Sequence, residues 1–122
     1  MSPLECIKTN PLPFAELLGV EFTSAGQDFV EARMLVRAEF CTLGGFAHGG
    51  AIMSLADTFG GAAASVNLPP EAKGTTTLES KTNFVAGAPV GCRPVDARPR
   101  RPADAGSGRA GSKPRTASCL RW

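Results

Sequence analysis

FAHGGAIMSLADTFGGAAASV, residues 46–66, decides the fold of this chain. It holds the only histidine, His48, followed at once by Gly49 and Gly50. Behind them Ala51, Ile52, Met53, Leu55, Ala56, Phe59, Ala62, Ala63, Ala64 and Val66 leave no polar face, and Asp57 is the only charge. Such a run predicts a helix buried nearly all round. A lone carboxylate inside it is costly unless something holds it. One turn away stand Met53, Ser54, Gly60 and Gly61, so no cation on the same helix can pair with Asp57.

Working outward, Asn67-Leu68-Pro69-Pro70 ends the helix, because proline lacks a donor and clashes with the preceding turn. Upstream, Asn10-Pro11 and Pro13 fit the start of a short helix over Phe14 to Leu18 that stops at Gly19. Val20 to Thr23 and Phe29 to Val36 read as two strands around the turn Ala25-Gly26-Gln27-Asp28. In the second strand, Val30, Ala32, Met34 and Val36 share the face better suited to a core. Residues 37–47 form a loop, Thr75 to Val85 predicts a third, Thr-rich strand, and Gly87-Ala88-Pro89 a turn.

At 122 residues the chain is one domain at most. Its formal charge of +2 conceals two halves. Residues 1–91 carry five cations against nine acids, a net of −4, and residues 92–122 eight cations against two acids, a net of +6. Cys6, Cys41, Cys92 and Cys119 contain no close pair, so neither a zinc site nor a CxxC redox motif is suggested. No apolar secretory segment follows the first Met, and no run reaches the ~20 residues of a membrane span. The expectation is a soluble cytoplasmic protein.

The segment HGGAIMSLAD, with an acid nine positions after the His, resembles the signature of hotdog-fold acyl-CoA thioesterases of the phenylacetate-degradation type. TTTLESKTNFVAGAPVG, residues 75–91, resembles the strand and turn that follow the helix in that family, and the similarity runs from about residue 12 to residue 91. The resemblance implies an α+β hotdog fold, an antiparallel sheet wrapped around the helix from about Gly49 to Asn67. It implies hydrolysis of acyl-CoA to a free acid and CoA without metal or organic cofactor, by a homodimer or homotetramer. Asp57 would be the nucleophile or the base that activates water; its structural alternative is a hydrogen-bonded core Asp. Gly49 would supply the oxyanion N–H, or serve only a tight helix start. His48 would orient the loop or touch the thioester, or be structural. Gly50 and Thr77 would help place substrate, Thr77 also being an ordinary strand residue.

Helix geometry agrees with a site shared between subunits. The first amides of a helix are unpaired and favour an anion. Asp57 lies about 12 Å further along the axis at ~1.5 Å per residue, too far to flank the same carbonyl as its own Gly49. The family answers this by setting the acid of one subunit opposite the helix start of another. Relatives carry an Asn six residues before the His that helps hold the thioester carbonyl; here Thr42 takes that substrate-binding place, with a hydroxyl donor but a shorter reach. A hotdog hydratase is a third possibility, but no second histidine supports it.

After Gly91 the pattern breaks. Seven Arg, five Ala, four Pro, three Gly and three Ser make up 22 of the last 31 residues, where the family continues with long strands. The expectation is a partial hotdog domain over residues 1–91 and a disordered basic tail over 92–122. The tail is read as an out-of-frame translation of GC-rich coding sequence or a truncation. A passive linker and a nucleic-acid-binding tail are the alternatives, the second without interleaved aromatics to support it. A non-catalytic hotdog remnant that at most self-associates is therefore the rival functional reading.

Overall fold

In the computed structural model, which describes residues 1–27, 29–84 and 86–92, two short helices precede a β-hairpin and a long helix. These are α1 (Pro3–Thr9), α2 (Pro13–Leu18), β1 (Glu21–Ala25), β2 (Val30–Arg33) and α3 (Gly49–Ser65), with a 3-10 turn at Ala38–Phe40 before α3. The basic tail from Arg93 onward, with its proposed change of frame, lies outside the described residues, as do Asp28 and Val85.

The sequence reading places no helix before Asn10, yet α1 carries a full start signal. Ser2 Oγ accepts from Glu5 N at 3.2 Å, Glu5 Oε2 accepts from Ser2 N at 2.7 Å, and Pro3 fills the first turn. This reciprocal cap satisfies two otherwise unpaired donors. α2 falls where the prolines place it. It closes on Gly19, whose φ of 70° is the left-handed cap geometry that glycine adopts without strain.

β1 and β2 pair antiparallel, Glu21 opposite Arg33 and Ala25 opposite Val30, with an irregularity between Phe22 and Ser24. The expected face of the second strand is the core face. Val30, Ala32, Met34 and Val36 are all buried, while Phe29 and Leu35 are exposed. Leu18, Met34 and Leu55 form one cluster, and Val30, Ala32 and Phe59 a second, with Ile7 of α1 packed against it.

α3 matches its expected span to within two residues, but it is not buried all round. Leu55, Phe59 and Ala62 are its buried residues and lie on one stripe against the sheet. Met53, Asp57, Gly60 and Ala64 form the opposite stripe and are exposed. Apolar composition alone cannot say which stripe is covered; the single sheet covers one side.

The expected third strand is not found either. Residues 75–84 have no strand assignment and are largely exposed. A segment becomes a strand only through ladder bonds to a neighbour, and among the described residues the backbone of this stretch makes none. The chain that follows does dock. Ala47 N donates to Ala88 O at 2.7 Å, Val90 N to Gly45 O at 2.9 Å, and Gly91 N to Val36 O at 2.8 Å. Residues 88–91 are thereby tied to the end of the hairpin and to the loop that leads into α3.

Candidate active site

The start of α3 is built by its preceding loop. Thr42 N donates to Phe46 O at 2.8 Å and the Thr42 hydroxyl to the same oxygen at 3.3 Å, closing residues 42–46 into a turn. His48 N then donates to Phe40 O at 2.7 Å. Arg37 steadies this region by donating to Leu17 O at 2.8 Å and by stacking its guanidinium 4.4 Å from the centre of the Phe40 ring. Thr42 thus spends its hydroxyl proton inside its own loop.

His48 is the N-cap of α3. Its Nδ1 accepts from Gly50 N at 2.9 Å, a bond that requires an unprotonated Nδ1. Ala51 N and Ile52 N both donate to His48 O, at 2.9 and 3.4 Å. Among the described residues nothing accepts from Gly49 N, so of the first four amides this one remains available. Its surroundings are close: a Cβ at Gly49 would lie 3.3 Å from Phe84 Cζ. A side chain at Gly49 would press on the Phe84 ring, which would have to give by a few tenths of an ångström.

Further along α3, Asp57 meets Thr77. The Thr77 hydroxyl donates to Asp57 Oδ1 at 2.7 Å, across twenty residues of sequence. Both side chains line an open groove of ≈ 820 Å³ between the exposed stripe of α3, the start of α2 and residues 75–80, with Phe14, Gly60 and Leu78 among its walls. Asp57 is exposed, so it is not the costly buried carboxylate that the apolar run predicts. The carboxylate sits on the uncovered stripe, where water solvates it and a hydroxyl orients it. Oδ2 accepts no hydrogen bond among the described residues.

The six residues singled out in the sequence therefore divide into two groups. His48, Gly49, Gly50 and Thr42 stand at the start of α3, and Asp57 with Thr77 about two turns away. No local pattern points to Phe84, because its approach to Gly49 spans 35 positions of sequence. Among the described residues no cluster of three or more His, Cys, Asp or Glu could hold a metal, and no helix is long and apolar enough to cross a membrane.

Residues 44–100 match the thioesterase superfamily. Among solved structures, the chain resembles the conserved protein PA5202 of Pseudomonas aeruginosa, with 30% identity over 75% of this chain and 72% of that one and a TM-score of 0.61. The TT0310 protein of Thermus thermophilus is 28% identical over 72% of this chain and 70% of that one, with a TM-score of 0.63. The PaaI protein of the phenylacetic acid degradation operon of Escherichia coli, 26% identical, aligns over 52% of this chain and 46% of that one with a TM-score of 0.48. That overlay is too loose to distinguish one branch of the superfamily from another. No curated protein matches the chain significantly. The chain belongs to the thioesterase superfamily, and its architecture is the α+β hotdog fold.

Proposed function

We propose that this protein hydrolyses acyl-CoA thioesters to a free acid and CoA, with Asp57 as the catalytic carboxylate. The observation that carries the reading is the Thr77–Asp57 hydrogen bond at the wall of an open groove. By donating to Oδ1, Thr77 fixes the plane of the carboxylate and leaves Oδ2 to take a proton from water. That water oxygen attacks the thioester carbon, and the proton passes to Asp57. Negative charge develops on the carbonyl oxygen, where an unpaired amide such as Gly49 N–H stabilises it most. Collapse breaks the C–S bond, and the departing thiolate recovers the proton, giving acid and thiol from thioester and water.

Helix geometry supports a shared site. Eight residues of rise separate Gly49 from Asp57, about 12 Å, so one carbonyl is served by Gly49 of one protomer and Asp57 of another. The exposed stripe of α3 offers the surface for such pairing. The protein is accordingly a cytoplasmic homodimer or homotetramer that acts on acyl-CoA without metal or organic cofactor. Phenylacetate-degradation enzymes are its proposed relatives within the superfamily, on the strength of the HGGAIMSLAD resemblance.

The test is hydrolysis of aryl- and medium-chain acyl-CoA by the purified full chain and by Asp57→Asn. Wild-type turnover with a fall of roughly 10²- to 10⁴-fold in kcat for the variant is expected. An Asn variant that keeps most of the rate would refute the assignment of Asp57. A wild type with no turnover on any acyl-CoA would favour the non-catalytic remnant.

A further inference from the structure

We propose that Phe84 determines which acyl groups this protein accepts, by bounding the space beside the thioester carbonyl; the inference rests on the thioesterase reading above. Three observations point to it. Gly49 N–H is the amide at the start of α3 that finds no acceptor among the described residues. The Phe84 ring lies against that same residue, its Cζ and Cε1 at 3.3 and 3.4 Å from where a Gly49 Cβ would stand. The ring is nevertheless 55% exposed, so it is not spent on the core.

One segment arranges both ends of this flank. Thr77 bonds Asp57 in the third turn of α3, and seven residues later Phe84 reaches Gly49 at its start. Residues 77–84 thus run back along the helix. A carbonyl oxygen bonded to Gly49 N–H places its carbon about 4 Å from that nitrogen, and the neighbouring acyl carbon about 1.5 Å beyond. Those substrate atoms sit beside Gly49, on whose Cβ side the Phe84 ring stands. A linear acyl chain presents only hydrogens there, whereas a methyl branch on the carbon next to the carbonyl meets the ring. Phe84 is therefore a filter against branching at that carbon.

The experiment compares butanoyl-CoA with 2-methylpropanoyl-CoA, using the full chain and Phe84→Ala. The ratio of the two kcat/KM values is the readout, because partial unfolding lowers both rates together and leaves their ratio alone. Wild type is expected to favour the linear substrate, and Phe84→Ala to narrow that preference roughly tenfold, the discrimination one methyl group commands. An unchanged ratio overturns the role of Phe84 while leaving the thioesterase reading intact. Ketone analogues of the two substrates, which carry the carbonyl but no scissile bond, give the same ratio as Kd values if turnover is absent. Binding without turnover, with the linear preference narrowed in Phe84→Ala, supports the filter and refutes catalysis. Failure of the wild type to hydrolyse or bind either compound overturns the filter, whereas the thioesterase reading stands or falls separately on aryl- and medium-chain acyl-CoA.

Discussion

Asp57 and Thr77 are joined by one hydrogen bond of 2.7 Å, and the two ends of that bond can be tested separately. Thr77→Val keeps the shape of the side chain and removes the donor, so the carboxylate loses its orientation but stays in place. Hydrolysis should fall roughly tenfold, the scale of a hydrogen bond to a charged group, while Thr77→Ser should restore most of the rate. Equal loss in both variants would mean that Thr77 acts through packing. Neither change should move stability by more than about 0.5 kcal/mol, since the pair is exposed. His48 makes the contrasting case. His48→Ala removes the acceptor for Gly50 N and should cost about 1 kcal/mol of stability, read from a urea midpoint.

At the scale of elements, α1 and α3 show how a helix is held by its ends and by one face. The bond from Ser2 N to Glu5 lowers the Glu5 carboxyl below its ordinary value, so the ionised form is favoured in the folded helix. The stabilisation is complete above the ordinary glutamate range and is lost as pH falls through the lowered folded value. The protection of α1 amides, as exchange relative to the intrinsic rate at each pH, should therefore fall on acidification, and Glu5→Gln should remove most of that pH dependence. For α3 the test is its asymmetry. Leu55→Ala empties a fully buried site and should cost about 2–5 kcal/mol. Met53→Ala, on the opposite stripe, should cost less than about 1 kcal/mol in a single chain. Similar losses would mean that both sides of α3 are covered in solution.

Across the whole molecule, the exposed stripe of α3 and the apolar side chains around it have no cover among the described residues of one chain. Leu12, Phe14 and Leu78 stand 51%, 53% and 97% exposed beside the groove that Asp57 lines. Exposed apolar side chains of this kind are what the proposed pairing of two copies would cover. Gly60 lies in that groove with open space where a side chain would project, so Gly60→Arg is tolerated by the single chain but blocks a second one. Light scattering should show the wild type as an oligomer and Gly60→Arg as a smaller species with much reduced hydrolysis. A variant that keeps both its mass and its rate would place the partner elsewhere.

Local chemistry made much of this protein legible from residues alone. The proline and glycine positions bound α2, the two-residue alternation picked out Val30, Ala32, Met34 and Val36, and the small-residue run after His48 located α3. Each of these depends on neighbours a few positions away. Even the missed helix α1 obeyed this rule, since Ser2, Pro3 and Glu5 form its start signal. What the residues alone could not decide was which side of α3 would be covered, because an all-apolar helix has no phase to read. The same limit explains residues 75–84, whose strand-like composition gives no ladder partner among the described residues. Long-range contacts settled the rest. Only the folded chain brings Thr77 to Asp57 and the Phe84 ring to Gly49, because those distances are fixed by packing between segments and not by any spacing along the sequence.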